Sequence, residues 1–167
     1  AGVAGAVHGS LIAGAKTTTF TSSQGLLLMI PNMYKIAGEG LPTVFYIAAR
    51  SVATHALSIF CDHSDIYSCL KTGFNVVSCS SVQEVNDMAI ACELASVRSN
   101  IPYICFFDGF RTSHELSTIQ QTELKDLLKI VNPAYFAEFR NRAINNHEPF
   151  ACGTNQNPDV FMQNRIK

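Results

Sequence analysis

Residues 42–50 read PTVFYIAAR: a nearly continuous apolar run from Thr43 to Ala49 that ends directly on Arg50. A strand with one wet face alternates apolar and polar residues. An unbroken run of this length suits a parallel strand covered on both faces. Two further runs share the pattern. FNVVSC (74–79) follows Gly73, and IPYICFF (101–107) ends at Asp108 and Gly109. Between them, Ser81 and Glu84 form the S-x-x-E capping box of a helix. Val82, Val85, Ala89, Cys92 and Ala95 fall at helical spacing as its inner face.

Upstream, TTTFT (17–21) is β-branched and aromatic, which predicts a strand. Ser22 or Ser23 caps a helix expected from Gln24 to Ala37, with Leu26, Leu27, Ile30, Met33 and Tyr34 as its apolar stripe. Gly38 and Gly40 end it. Ala1 to Ala15 reads as a helix with Gly2, Gly5, Gly9 and Ala13 on one smooth face. Interior glycines cost about 0.5–1 kcal/mol each relative to alanine. The face therefore predicts close approach, either of a neighbouring helix or strand or of a cofactor. Its GxxGxxxG spacing is not the dinucleotide fingerprint, and no strand precedes it. The order helix, strand, helix, strand, linker, strand, helix, strand argues for an α/β fold with a mostly parallel sheet and helices on both faces. Residues 1–115 form this core. Residues 116–167 read as a helical and irregular extension that leads towards the next domain: ELSTIQQTELKDLLKIV and PAYFAEFRNRAI predict short helices, and GTNQNPD (153–159) is turn chemistry.

The composition narrows the function classes. Of 167 residues, 47% are apolar and only 15% charged, with 12 Lys plus Arg against 13 Asp plus Glu. Soluble domains average about 25% charged. The chain is too apolar to be disordered, and its net charge of −1 speaks against a phosphate-tracking nucleic-acid binder. So little charge suggests a piece that lies against other protein. The first basic residue, Lys16, follows the first apolar stretch, so no secretory signal is read. No uncharged apolar run reaches the roughly 18–20 residues of a membrane span.

In open parallel sheets, ligands bind beyond the carboxyl ends of the strands. Here those ends carry Thr21, Ser22, Ser23 and Gln24; then Arg50; then Ser78 to Ser80; then Asp108 to Arg111. The planar fork of Arg50 suits a carboxylate or phosphate oxygen pair. The competing expectation is an ion pair with Asp62, Asp65 or Asp108. DHSD (62–65) has metal-ligand residue types, but Asx-turn capping explains it better. The six cysteines show no CxxC; Cys69, Cys92 and Cys105 read as small buried hydrophobes, and free thiols fit a reducing interior.

Longer words carry more. GAVHGSLIAGAKTTTFTSSQGLLLMIPNMYKIAGE, IAARSVATHALSIFCDHSDIYSC, FFDGFRTSHE and GTNQNPDVF resemble the pyruvate:ferredoxin (flavodoxin) oxidoreductase family nearly from end to end. The resemblance is to its amino-terminal, pyrimidine-type thiamine diphosphate-binding domain, a transketolase-like fold, so the chain reads as an internal fragment of a longer enzyme. It implies oxidative decarboxylation of pyruvate with CoA to acetyl-CoA and CO2. Electrons pass through [4Fe–4S] clusters to ferredoxin or flavodoxin. It implies that Arg50 is the catalytic, substrate-binding arginine that holds the pyruvate carboxylate, and that the Gly2–Gly9 face follows the pyrimidine-contacting segment. The family glutamate that contacts the aminopyrimidine corresponds to the position just before Ala1. Thiamine diphosphate with Mg2+ is shared with another domain; the clusters and most CoA contacts lie elsewhere; and no cofactor or metal ligand is assigned in this chain. The resemblance further implies a homodimer in the cytoplasm or hydrogenosome of an anaerobe, with other domains of the same chain as neighbours. Where the family usually has a basic residue before GTNQNPD, this chain has Ala151 and Cys152. The alternative is a non-catalytic interaction or scaffold domain that keeps the fold.

Overall fold

The computed structural model describes residues 1–165. Four strands form one parallel sheet: β1 (Thr19–Thr21), β2 (Val44–Ala49), β3 (Asn75–Cys79) and β4 (Tyr103–Asp108), in the spatial order β1-β2-β4-β3. Each apolar run of the sequence became a strand. Because side chains alternate along a strand, each run feeds two cores. Phe45, Ile47, Ala49, Ile104 and Phe106 point to one face; Val44, Tyr46, Cys79 and Cys105 point to the other. The mostly parallel α/β expectation is met.

The first face is covered by α1 (Gly2–Ile12), α2 (Ser23–Leu27), α3 (Ile30–Gly38) and α4 (Ser64–Cys69), through Ala4, Val7, Leu11, Leu26, Met33, Ile36, Ile66 and Cys69. The second face is covered by α5 (Val82–Ser99), through Cys92, Val85, Met88 and Ala89. Right-handed crossovers account for this division. The chain advances from β1 to β2 and then past β4 to β3 with its helices on one side. It returns from β3 to β4 with α5 on the other. α6 (Arg111–His114), α7 (Leu124–Ile130), α8 (Pro133–Asn141) and α9 (Pro158–Arg165) follow the last strand. Phe139 of α8 folds back into the first core.

Polar ties hold the strand starts together. Thr43 Oγ1 donates to the Thr17 carbonyl at 2.6 Å, and Ser96 Oγ donates to the Ile101 carbonyl at 2.8 Å. Tyr46 carries its hydroxyl to Glu93 Oε1 at 3.1 Å, and Lys16 pairs with the same carboxylate. Burial and that carboxylate raise the Tyr46 pKa, so the phenol stays protonated.

Several local expectations are corrected. The helix expected over 24–37 is two helices, because Pro31 has no N–H to donate back to Leu27 and opens α3 instead. The Met29 N–H turns to Leu26 O at 2.9 Å, which tightens the break. Ser22 does take the N-cap position of α2, in extended backbone, but its side chain makes no capping bond, and Ser23 is buried at φ 48°. The linker after β2 holds α4, and the last turn-rich stretch continues into α9. Finally, the capping box is displaced by one residue on one side. Ser81 Oγ accepts from Glu84 N at 3.2 Å, but the Glu84 carboxylate takes the Ser80 N–H at 2.7 Å and the Ser80 hydroxyl at 2.8 Å. These two bonds hold the Glu84 carboxyl below the ordinary glutamate pKa.

Candidate functional site

The carboxyl ends of β1, β2 and β4 meet around Arg50. β4 leaves the sheet through Gly109, whose N–H donates to Ala49 O at 2.9 Å. A side chain at this position would strike the carbonyl oxygens of Ala49 and Ala48, so only glycine lets the two strand ends lie this close. Asp108 Oδ1 then accepts from Phe110 N at 3.0 Å and Arg111 N at 2.6 Å. Asp108 is thereby committed to the turn into α6. The 51–60 loop closes on itself, with Ser51 N and Oγ both donating to Phe60 O, at 3.1 and 2.6 Å. Phe60 packs edge-on against Phe110 at 4.9 Å between centroids, and His63 packs on Phe106 at 5.3 Å. Leu57, Ile59 and Phe60 remain exposed, which gives this loop an apolar rim.

Arg50 is half-buried. Its Nη2 reaches Gln24 Oε1 at 3.5 Å, the outer limit of a hydrogen bond, and its Nε is buried without a partner among the described residues. Among the described residues it makes no ion pair, so the expected pairing with Asp62, Asp65 or Asp108 does not occur. An unsatisfied buried donor costs about 1–3 kcal/mol. One edge of the planar guanidinium is thus left without a protein partner among the described residues, and its shape matches a carboxylate edge.

Asp65, expected as a turn residue or an ion-pair partner of Arg50, instead bonds to backbone. It is completely buried, and its Oδ2 accepts two backbone N–H groups, from Ser23 and from Arg50, each at 3.0 Å. Oδ1 accepts from Ile66 N at 2.9 Å. The signal was present: Asp65 and Cys69 stand four apart on the inner face of α4. Its neighbour Asp62 does behave as read, accepting from Ser64 N at 2.9 Å as an Asx turn. Among the described residues, no group of three or more His, Cys, Asp or Glu side chains is placed to hold a metal ion.

Ser23 completes the polar cluster. Its Oγ lies 2.8 Å from Ser51 O and 2.5 Å from Gln24 Oε1, two acceptors that share its single proton. Gly2, Gly5 and Gly9 turn away from the core, and a Cβ on any of them would meet nothing within 4 Å. The expected packing of this face against a neighbouring helix or strand is therefore corrected: Ala4, Val7 and Leu11 take the inward side. Cys69 and Cys105 are buried within the two cores, as is Cys92. Burial first, with the Asp65 charge second, pushes the Cys69 thiol up to about 12.

The family model described as pyruvate flavodoxin/ferredoxin oxidoreductase, thiamine diphosphate-binding, matches residues 1–167. The chain belongs to this family. It is 58% identical over 165 residues to the pyruvate:ferredoxin oxidoreductase of Moorella thermoacetica, covering 99% of this chain and 14% of that protein. It is 54% identical over 164 residues to the pyruvate-flavodoxin oxidoreductase of Trichormus variabilis, covering 98% and 14%. It is 50% identical over 164 residues to the mitochondrial pyruvate dehydrogenase [NADP(+)] of Euglena gracilis, covering 98% and 9%. The chain thus spans about a seventh of the length of the first of these relatives. As a thiamine diphosphate-binding domain of this family, it places Arg50 at the carboxyl ends of β1, β2 and β4, with the buried Nε as its unpaired donor among the described residues. No helix of the described residues is long and apolar enough to cross a membrane.

Proposed function

We propose that this chain supplies the carboxylate-binding wall of the pyruvate pocket in a thiamine diphosphate-dependent pyruvate oxidoreductase. The observation that carries this reading is the Arg50 fork, with a buried Nε that no group among the described residues satisfies. Arg50 takes one edge of the substrate carboxylate. Gln24, from the turn after β1, stands beside the guanidinium and limits where it points. The apolar rim of the 51–60 loop excludes water on one side. A two-point hold on the carboxylate fixes the neighbouring keto carbon, so orientation is the main contribution of this chain.

Thiamine diphosphate, when bound, supplies the nucleophilic carbanion for the keto carbon. The described residues suit the substrate carboxylate rather than the Mg2+ ion that accompanies the diphosphate, which other parts of the protein bind. The full protein converts pyruvate and CoA to acetyl-CoA and CO2. It passes electrons through [4Fe–4S] clusters, held outside this chain, to ferredoxin or flavodoxin. It works as a homodimer in an anaerobic cytoplasm or hydrogenosome. The family description and the names of its relatives support pyruvate, thiamine diphosphate and ferredoxin or flavodoxin; CoA, the clusters, the dimer and the compartment are carried by the sequence resemblance alone.

The test is steady-state kinetics of Arg50→Ala in the full-length enzyme. Losing one partner of a desolvated charge pair costs about 2–5 kcal/mol, which lowers kcat/KM for pyruvate by a factor between roughly 30 and several thousand. An unchanged kcat/KM removes the assigned role.

A further inference from the structure

We infer that Asp65 is the positioning residue for the Arg50 clamp. The inference rests on the reading of Arg50 given above and adds how its geometry is set. A buried carboxylate is expensive, and it persists where its lone pairs are met. Here three backbone N–H groups meet them, and two belong to the strand-end turns that build the pocket. One oxygen, Oδ2, takes both the Ser23 N–H and the Arg50 N–H at 3.0 Å. Ser23 stands 42 residues away in sequence, and Arg50 15. No other described side chain joins the two turns through their backbones in this way.

Ser23 supplies an independent sign. It is fully buried and holds φ at 48°, a left-handed conformation that side-chain-bearing residues rarely adopt. Such an outlier persists when its surroundings over-determine it, and it marks places where geometry matters. The surroundings here are the Asp65 carboxylate on its N–H and the Ser51 carbonyl beside its hydroxyl. The strained turn carries Gln24, whose amide reaches the Arg50 guanidinium. Asp65 therefore fixes two things at once: where the Arg50 backbone leaves β2, and where Gln24 stands beside its fork. It touches neither substrate nor cofactor, and acts through these two residues.

The experiment is a double-mutant cycle in the full-length enzyme, reading kcat and KM for pyruvate and KM for CoA. Asp65→Ala is expected to lower kcat/KM for pyruvate by ~10- to 100-fold, the scale of a misplacement near 1 Å. Asp65→Asn keeps an acceptor for both turns but loses the charge and one of three bonds, so a loss of about threefold or more is expected. KM for CoA stays unchanged in both. In the Arg50→Ala background, either Asp65 substitution should add less than about twofold, because the group it positions is gone. The same loss in both backgrounds, or Asp65→Asn at the wild-type level, overturns the inference. If Asp65→Ala does not fold, the Asp65→Asn cycle decides alone. If Arg50→Ala itself leaves kcat/KM intact, the reading of Arg50 falls, and this inference with it. If Arg50→Ala is damaging and the cycle is additive, only the inference on Asp65 falls.

Discussion

Gly109→Ala tests whether the pocket depends on the close approach of β2 and β4. The Gly109 N–H donates to Ala49 O at 2.9 Å, and an added Cβ would also lie 2.9 Å from Ala48 O and 3.0 Å from Ala48 C. All of these atoms are backbone, so no flexible side chain can give way. The ends of the two strands must part instead. The lost hydrogen bond costs about 1 kcal/mol, and overpacking adds about 1–3 kcal/mol. The local opening free energy of the β2 end should then fall by about 2–4 kcal/mol. Since about 1.4 kcal/mol corresponds to a factor of ten, amide exchange there should accelerate by a factor between roughly 30 and 1,000. Hydrogen exchange read by mass spectrometry on the full-length protein gives that number for the peptide spanning residues 44–51. Arg50 begins where β2 ends, so kcat/KM for pyruvate should fall as well, by ~10²-fold for a shift near 1 Å. Unchanged exchange and unchanged kinetics would refute the reasoning. Faster exchange with intact kinetics would show that the strand end is not what places Arg50.

Two further outcomes follow from the titrating groups. The Glu84 carboxyl sits below its ordinary value of 4.5 because of its bonds from Ser80. A lowered folded-state pKa contributes stability above the ordinary value and loses it as pH falls through the folded one. The start of α5 should therefore loosen in exchange experiments as pH drops below about 4.5, and Glu84→Gln should flatten that dependence. Burial raises the Cys69 and Cys79 thiols, Cys69 to about 12. Both should resist iodoacetamide near pH 8 until the protein is denatured, as read by peptide mass spectrometry. Labelling of native Cys69 would contradict its place in the core.

The strands were legible because their chemistry is local. An unbroken apolar run such as 43–49 has one comfortable home, a parallel strand between two helical layers. The capping box at Ser81 and Glu84 was legible for the same reason, apart from the one-residue displacement to Ser80. Arg50 could be placed at the sheet edge because a charge follows directly on a buried run. What sequence alone could not show were features that depend on distant partners. The role of Asp65 becomes visible only when the ends of β1 and β2 come together at its carboxylate. The strain at Ser23 has no sequence signal, because the residue is an ordinary helix cap by type. The glycines of α1 were read as a contact face, yet the apolar side of α1 is Ala4, Val7 and Leu11, and their periodicity competes with that of the glycines. The apolar stripe from Leu26 to Tyr34 runs straight across Pro31, so periodicity alone hides the break that the proline makes.

The central claim is that Arg50 recognises a carboxylate. Inhibition constants for two matched analogues test it most directly: oxamate, which carries a carboxylate, and oxamide, which is neutral. The comparison uses the full-length enzyme and its Arg50→Met variant, which keeps side-chain bulk without charge. If Arg50 holds the carboxylate, the oxamate constant rises by roughly 30-fold or more, while the oxamide constant stays the same. A parallel change in both constants, or no change in either, would contradict it.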